Sequence, residues 1–191
     1  MVRPSYRWSG MMLVLATVAS APSVRAQYSP DRATALEVRK EFLTELDSLQ
    51  SKFMQLAEAF PADKYSWRPA PGVRSVGEVF MHVASEYYFY TPAVWGAKPS
   101  PLIEPKREAF DKFEKMSTKP EVLKHLKEGF AFGRQAIASL EDEKLIGIHR
   151  ILKGDRQVLQ MSIDMTSDLH EHLGQLIAYA RMNGVKPPWS K

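Results

Sequence analysis

Apolar residues recur at helical spacing along most of the chain, with polar residues between them. Leu36, Phe42, Leu43, Leu46, Leu49, Phe53 and Leu56 form the first such stripe, the repeat that buries one face of a helix. Ser29-Pro30-Asp31 precedes it, offering a capping hydroxyl, a proline suited to a first turn and an acid near the positive helix end. The pattern predicts a long helix over about 31–59, ended by Pro61.

Residues 61–74 carry three prolines and a glycine and read as a loop. Ser75-Val76-Gly77-Glu78 is a capping box, opening a second helix over about 76–91 that is rich in Val, Phe and Tyr. A proline-rich connection fills 92–105, and a short helix is expected at about 107–115. Thr118-Lys119-Pro120-Glu121 is a second capping-box pattern, opening a third long helix to about 140. In the polar stretch 141–155, Ile146, Ile148 and Ile151 suggest a short extended piece. The last helix is expected over about 157–183, capped by Gly184 and stopped by Pro187-Pro188. Four long helices with one apolar stripe each predict an all-α four-helix bundle.

Residues 1–26 change the picture of the mature chain. Arg3 and Arg7 precede an apolar run of 11 residues, 11–21, and Val24-Arg25-Ala26 places small residues at −3 and −1. That is the layout of a secretory signal peptide, whose apolar region is about 7–15 residues, too short to span a bilayer comfortably. Cleavage after Ala26 would leave a bundle domain over 27–191, periplasmic or secreted, with no stable membrane span. The leader contains three arginines and no acid, so the remainder carries 23 basic and 22 acidic residues, about +1 in all. That balance, without a basic helix, excludes a nucleic-acid footprint. Trp67, Trp95 and Trp189 are therefore expected to cap the bundle ends rather than stack on bases. The absence of cysteine excludes thiolate metal sites, a cysteine nucleophile and a lipidated cysteine anchor.

The candidate chemistry lies in the histidines. With Asp168 set at zero and about 100° per residue, His172 falls at about 40°, Met161 and Tyr179 at about 20°, Met165 at about 60° and Leu176 at about 80°. Asp168 and His172 thus share the apolar face, one turn apart, while His170 falls at about 200° on the opposite face. Ionisable groups on a buried stripe are costly unless paired or bound to metal. His82 sits in the second helix at the edge of its stripe, with Glu78 and Glu86 each one turn away. If the second and last helices face each other, His82, Asp168 and His172 converge as two imidazoles and a carboxylate, a plausible divalent metal site with open positions. Glu78, Glu86 and Asp164 are candidates for supporting partners or a proton acceptor. The same spacing equally allows an Asp168–His172 pair that satisfies itself and only holds register. His125 and His149 read as surface or loop residues.

Two stretches carry a family resemblance. YSWRPAPGVRSVGEVFMHVASEYYF, residues 65–89, and DLHEHLGQLIAYARMNGVKPP, residues 168–188, resemble the DinB-like (DinB/YfiT-like) metalloenzyme family. The first is similar to the family's loop and second helix with its metal histidine, here His82. The second is similar to its final helix, where a histidine precedes Gly-Gln, here His172 before Gly174-Gln175. The resemblance implies an up-down-down-up bundle, often a homodimer, with a divalent metal held by three histidines near one end. The third ligand position, four residues before His172, is Asp168 here. A carboxylate still binds Zn²⁺, Fe²⁺, Mn²⁺ or Ni²⁺ and favours harder metals.

Two readings of function follow. In one, the protein is an exported metal-dependent hydrolase or transferase of a small-molecule substrate that the sequence does not name. Transfer to low-molecular-weight thiols fits an exported protein poorly, which leaves hydrolysis the less constrained choice. In the other, it is a non-catalytic bundle with a degenerate metal site, whose end pocket, lined by Tyr87, Tyr88 and Tyr90, holds a ligand or a partner protein.

Overall fold

The computed structural model describes residues 30–104, 106–151 and 154–190; the expected leader and Ser29 lie outside them. The first helix, α1 (Arg32–Ala59), is capped by Asp31, whose side chain accepts from the Thr34 amide at 2.8 Å. Its stripe packs inward as expected: Phe42, Leu46, Leu49, Phe53 and Leu56 are buried, and Leu36 and Leu43 pack partly buried against them.

After a 3-10 turn at Ala62–Lys64, α2 spans Val76–Trp95. Its capping box is complete: Glu78 N–H donates to Ser75 Oγ at 3.3 Å, and Ser75 N–H to Glu78 Oε2 at 2.8 Å. The helix runs a turn past Pro92, where the sequence pattern expected it to stop. Val94 and Trp95 are buried beyond the proline, and Gly96, at φ 68°, closes the helix in the left-handed conformation. Core packing of that extra turn outweighs the amide hydrogen bond that proline cannot make.

The short helix α3 (Arg107–Lys115) follows, then α4 (Lys119–Ala138). The second capping-box pattern forms differently. Thr118 Oγ1 donates to Glu121 Oε2 at 2.7 Å, and the Thr118 side chain makes no capping bond to the α4 backbone. A one-turn helix, α5 (Asp142–Ile146), leads to an antiparallel hairpin of β1 (Ile148–Ile151) and β2 (Gly154–Gln157), in register Ile148↔Gln157 and Ile151↔Gly154. The suggested extended piece is thus half a hairpin. Ile146 falls in α5, Ile148 is exposed, and only Ile151 of the three is buried. The last helix, α6, spans Val158–Met182, and Gly184 follows at φ 71°.

Four helices form the bundle, in the ring α1–α4–α2–α6. Lys119 at the start of α4 donates to the Glu58 and Phe60 carbonyls at the end of α1, while Arg39 near the start of α1 donates to Leu140 O beyond α4. These two helices are antiparallel. Gly77 lies against Ser117, and Tyr87 against Gly129 and Gly133, so α2 and α4 run in parallel and close together. Tyr179 late in α6 reaches Arg74 just before α2, and Trp95 at the end of α2 reaches Ser162 early in α6. These are antiparallel, completing an up-down-down-up bundle. Among the described residues no helix is long and apolar enough to cross a membrane.

Candidate metal centre

Because α2 and α6 are antiparallel neighbours, His82 in the first half of α2 meets His172 in the second half of α6. Their rings lie 4.8 Å apart, edge to face at 83°. Glu86, one turn after His82, places Oε1 3.3 Å from His82 Nε2 and 3.9 Å from His172 Nε2. Asp168, one turn before His172, places Oδ2 3.8 Å from His172 Nε2. Two i,i+4 pairs on facing helices thus converge toward the end of the bundle where α2 begins.

The far side of each imidazole is engaged. His82 Nδ1 lies 2.7 Å from Glu114 Oε1 on α3, and His172 Nδ1 lies 3.3 Å from Gln175 Oε1. Both partners are acceptors, so each Nδ1 carries a proton and each Nε2 turns inward, where it has a lone pair to offer once the ring is neutral. The supports themselves are linked. Arg74 grips Glu114 through Nε at 2.9 Å and Nη2 at 3.3 Å. Gln175 Nε2 donates to the Tyr179 hydroxyl at 2.9 Å, which donates to Arg74 O at 3.3 Å. A chain of hydrogen bonds through Arg74 therefore joins the backs of the two imidazoles. Trp67 closes the end of this chain, edge-on to Tyr179 at 5.3 Å.

The donor set fits a divalent ion. Bonds of about 2.1 Å in a tetrahedron separate ligand atoms by about 3.4 Å, and the nitrogen–oxygen separations run from 3.3 to 3.9 Å. His82, Glu86 and His172 each offer one atom to a cluster whose members lie within 4.8 Å of one another. Glu86 Oε2 is buried without a hydrogen-bond partner, a costly state for a carboxylate oxygen. Asp168 lies at the rim, its side chain 39% exposed, where it can add a ligand from the solvent side. At 3.8 Å it makes no hydrogen bond to His172. The self-satisfied pair that the spacing allowed is therefore not what the fold builds.

Burial and mutual charge shift the titration of these side chains. Burial opposes charge on His82, but hydrogen bonds to Glu114 and Glu86 outweigh it and raise its pKa to about 9. Burial, reinforced by the neighbouring Asp168 carboxylate, raises Glu86 to about 7; the His82 contact opposes that shift without overcoming it. Burial lowers His172. Burial resists ionisation of Glu114, yet His82 and Arg74 hold its pKa below the usual value.

Of the three residues singled out from sequence, His82 and His172 are brought together, and the carboxylate in reach of both Nε2 atoms is Glu86; Asp168 approaches His172 from the rim and is outside that group. Glu114 and Arg74 support the site from α3 and the preceding loop. Glu86 was readable, since it shares a helix face with His82. Glu114 had no comparable signal, because its partner lies 32 residues away. Of the other supporting candidates, Glu78 is committed to the α2 cap and to Lys115 at 2.5 Å, and Asp164 is exposed. Tyr87 and Tyr88 are buried, and of the three tyrosines expected in a pocket only Tyr90 lines the cavity beside His82. His125 is no surface residue: it is 6% exposed and packs edge-on to Phe113 at 4.8 Å. His170 is exposed and pairs with Glu45 at 3.1 Å, as its position on the wheel required.

Comparison with known proteins bears on this arrangement. The sequence profile described as the DinB superfamily matches residues 45–176. A DinB-like protein from Bacillus cereus superposes with a TM-score of 0.65 at 15% identity, covering 80% of this chain and 97% of its own. A DinB-like protein from Bacillus subtilis superposes with a TM-score of 0.61 at 18% identity, covering 78% of this chain and 96% of its own. At these identities the likeness is one of fold. No curated protein matches the chain.

Proposed function

The chain belongs to the DinB superfamily, and on that premise we propose that it is an exported protein that binds a divalent metal ion and uses it to hydrolyse a small-molecule substrate. His82 Nε2 and His172 Nε2 would hold the ion, with Glu86 as the inner carboxylate and Asp168 completing the set from the rim. The observation that carries this reading is the orientation of the imidazoles. Both Nδ1 atoms are occupied by acceptors, and both Nε2 atoms face Oε1 of the buried Glu86 carboxylate, whose Oε2 has no hydrogen-bond partner. Two imidazoles with carboxylates suit Zn²⁺, Fe²⁺, Mn²⁺ or Ni²⁺.

A divalent ion in such a site supplies Lewis acidity and activation of water. The chain's own residues supply position. Glu114 fixes the tautomer and rotation of His82, Gln175 does the same for His172, and Arg74 ties the two supports together. Export rests on residues 1–26, and a homodimeric state on the family resemblance alone; N-terminal sequencing of the periplasmic fraction and light scattering test them.

The reaction is tested with a panel of small esters and amides. Hydrolysis should vanish in chelator and return on adding metal. Turnover that is indifferent to chelator would contradict the reading. Between the carboxylates, Glu86→Gln should weaken metal binding more than Asp168→Asn, because Glu86 is buried between both imidazoles and Asp168 is near one.

A further inference from the structure

A cavity of about 370 Å³ opens directly beside the metal centre, with His82, Glu86 and Glu114 at its floor. Its wall is aromatic. Phe89 and Tyr90 come from α2 and Phe110 from α3, and the Phe89 ring stands edge-on to Tyr90 at 5.4 Å and to Phe110 at 5.8 Å. From Val76 to Tyr88 every residue of α2 except His82 is buried by its neighbours. Phe89 then leaves 40% of its surface exposed, and it does so where the cavity opens. Large exposed apolar rings beside a polar centre mark binding surfaces.

Two cations also line the cavity. Lys106 and Arg107 stand at the mouth, but each is held by an acid: Lys106 by Glu104 at 2.8 Å and Arg107 by Asp111 at 3.0 Å. Both pairs are exposed and weak, so the ring wall rather than the charge at the mouth sets the selection. The volume is near the lower end of the range for ligand pockets, about 300–1,000 Å³, and accommodates one aromatic ring with a short polar arm.

We propose that this cavity binds an aromatic small molecule, its ring against Phe89, Tyr90 and Phe110 and its polar arm directed at the His82–His172 centre. The direction of the arm rests on the metal reading above; the aromatic wall does not. The hydrolysed substrate is then an ester or amide that carries an aromatic ring.

Two probe pairs separate these parts. On metal-loaded protein, benzohydroxamate should bind at least about tenfold more tightly than acetohydroxamate, the gain from burying most of a phenyl ring. In Phe89→Ala that preference should fall toward unity while acetohydroxamate binding persists. Phe89 is partly exposed, so the variant is expected to fold; equal metal content and circular dichroism check this. Equal affinities in the wild type, or a preference that survives Phe89→Ala, would overturn the proposal. On chelator-treated protein, benzamide but not acetamide should shift the amide resonances of residues 85–90 and 106–110, and the shift should disappear in Phe89→Ala. If the protein takes up no metal, the metal reading fails and the benzamide arm alone decides: a Phe89-dependent shift supports the aromatic pocket, and no shift overturns it.

Discussion

His82 is held from behind by Glu114 at 2.7 Å, and that single contact decides which ring nitrogen faces the centre. Glu114→Ala should therefore weaken metal binding by about 10–100-fold, the usual cost of losing such a support, while the protein stays folded. Competition titration with a metallochromic indicator checks it, and unchanged affinity would show that His82 needs no positioning. The three residues picked from sequence were legible because each sits on or beside an apolar stripe where a charged or polar group is out of place. Glu86 carried the same mark but was set among supporting groups, since spacing alone does not show whether a side chain one turn from His82 points at the metal or past it. His125 belongs to the core rather than the surface, as Val122, Leu126 and Gly129, which flank it at helical spacing and are buried with it, indicate; an imidazole on a stripe reads as core unless its partner lies across the bundle.

At the scale of elements, α2 carries the site and its start is the most heavily secured part of the chain. Ser75→Ala should cost about 0.5–2 kcal/mol of stability, measured by urea unfolding, through loss of the cap. Glu78 completes that cap. Burial resists its ionisation, but Lys115, the Ser75 amide and Arg68 outweigh it and lower its pKa to about 2. A depressed carboxylate stabilises the fold when ionised. Its contribution is present above the ordinary value of 4.5 and is lost as pH falls toward about 2. The gap in urea midpoint between wild type and Glu78→Gln should therefore be full at pH 7 and close progressively between those two values. A gap that does not change with pH would mean that the charge does nothing. Further along α2, Gly133 of α4 lies against the buried Tyr87 ring, where an added Cβ would collide. Gly133→Ala should destabilise by about 1–3 kcal/mol of overpacking, partly offset by the better helix propensity of alanine. The boundaries of α1, α3 and α6 were readable from caps and stripes. The end of α2 was not, because Pro92 is a local signal and the burial of Val94 and Trp95 is a tertiary one. The hairpin was half seen, since β2 has no alternating pattern and is paired through its backbone.

For the molecule as a whole, bundle topology places the chemistry. The sequence stripes predict four helices but not which are neighbours; the ring order α1–α4–α2–α6 is set by long-range packing, including the close approach of Tyr87 to Gly129 and Gly133. Only because α2 and α6 are adjacent and antiparallel do two i,i+4 pairs meet. A metal that bridges them should also clamp these helices. At a free-metal concentration of 100 times the dissociation constant, binding adds about 2.7 kcal/mol, which for a domain of this size raises Tm by roughly 5–10 °C. Thermal unfolding with and without chelator measures it.

If His82 and His172 together hold one divalent ion, the metal content of the purified protein, determined by elemental analysis, will show it. Wild type, His82→Ala and His172→Ala would be compared after incubation with Zn²⁺, Ni²⁺, Mn²⁺ and anaerobic Fe²⁺. About one ion per wild-type chain is expected, the stoichiometry of a single two-histidine site, with none retained by either variant. A wild-type protein that retains no metal, or variants that retain as much as the wild type, would contradict it.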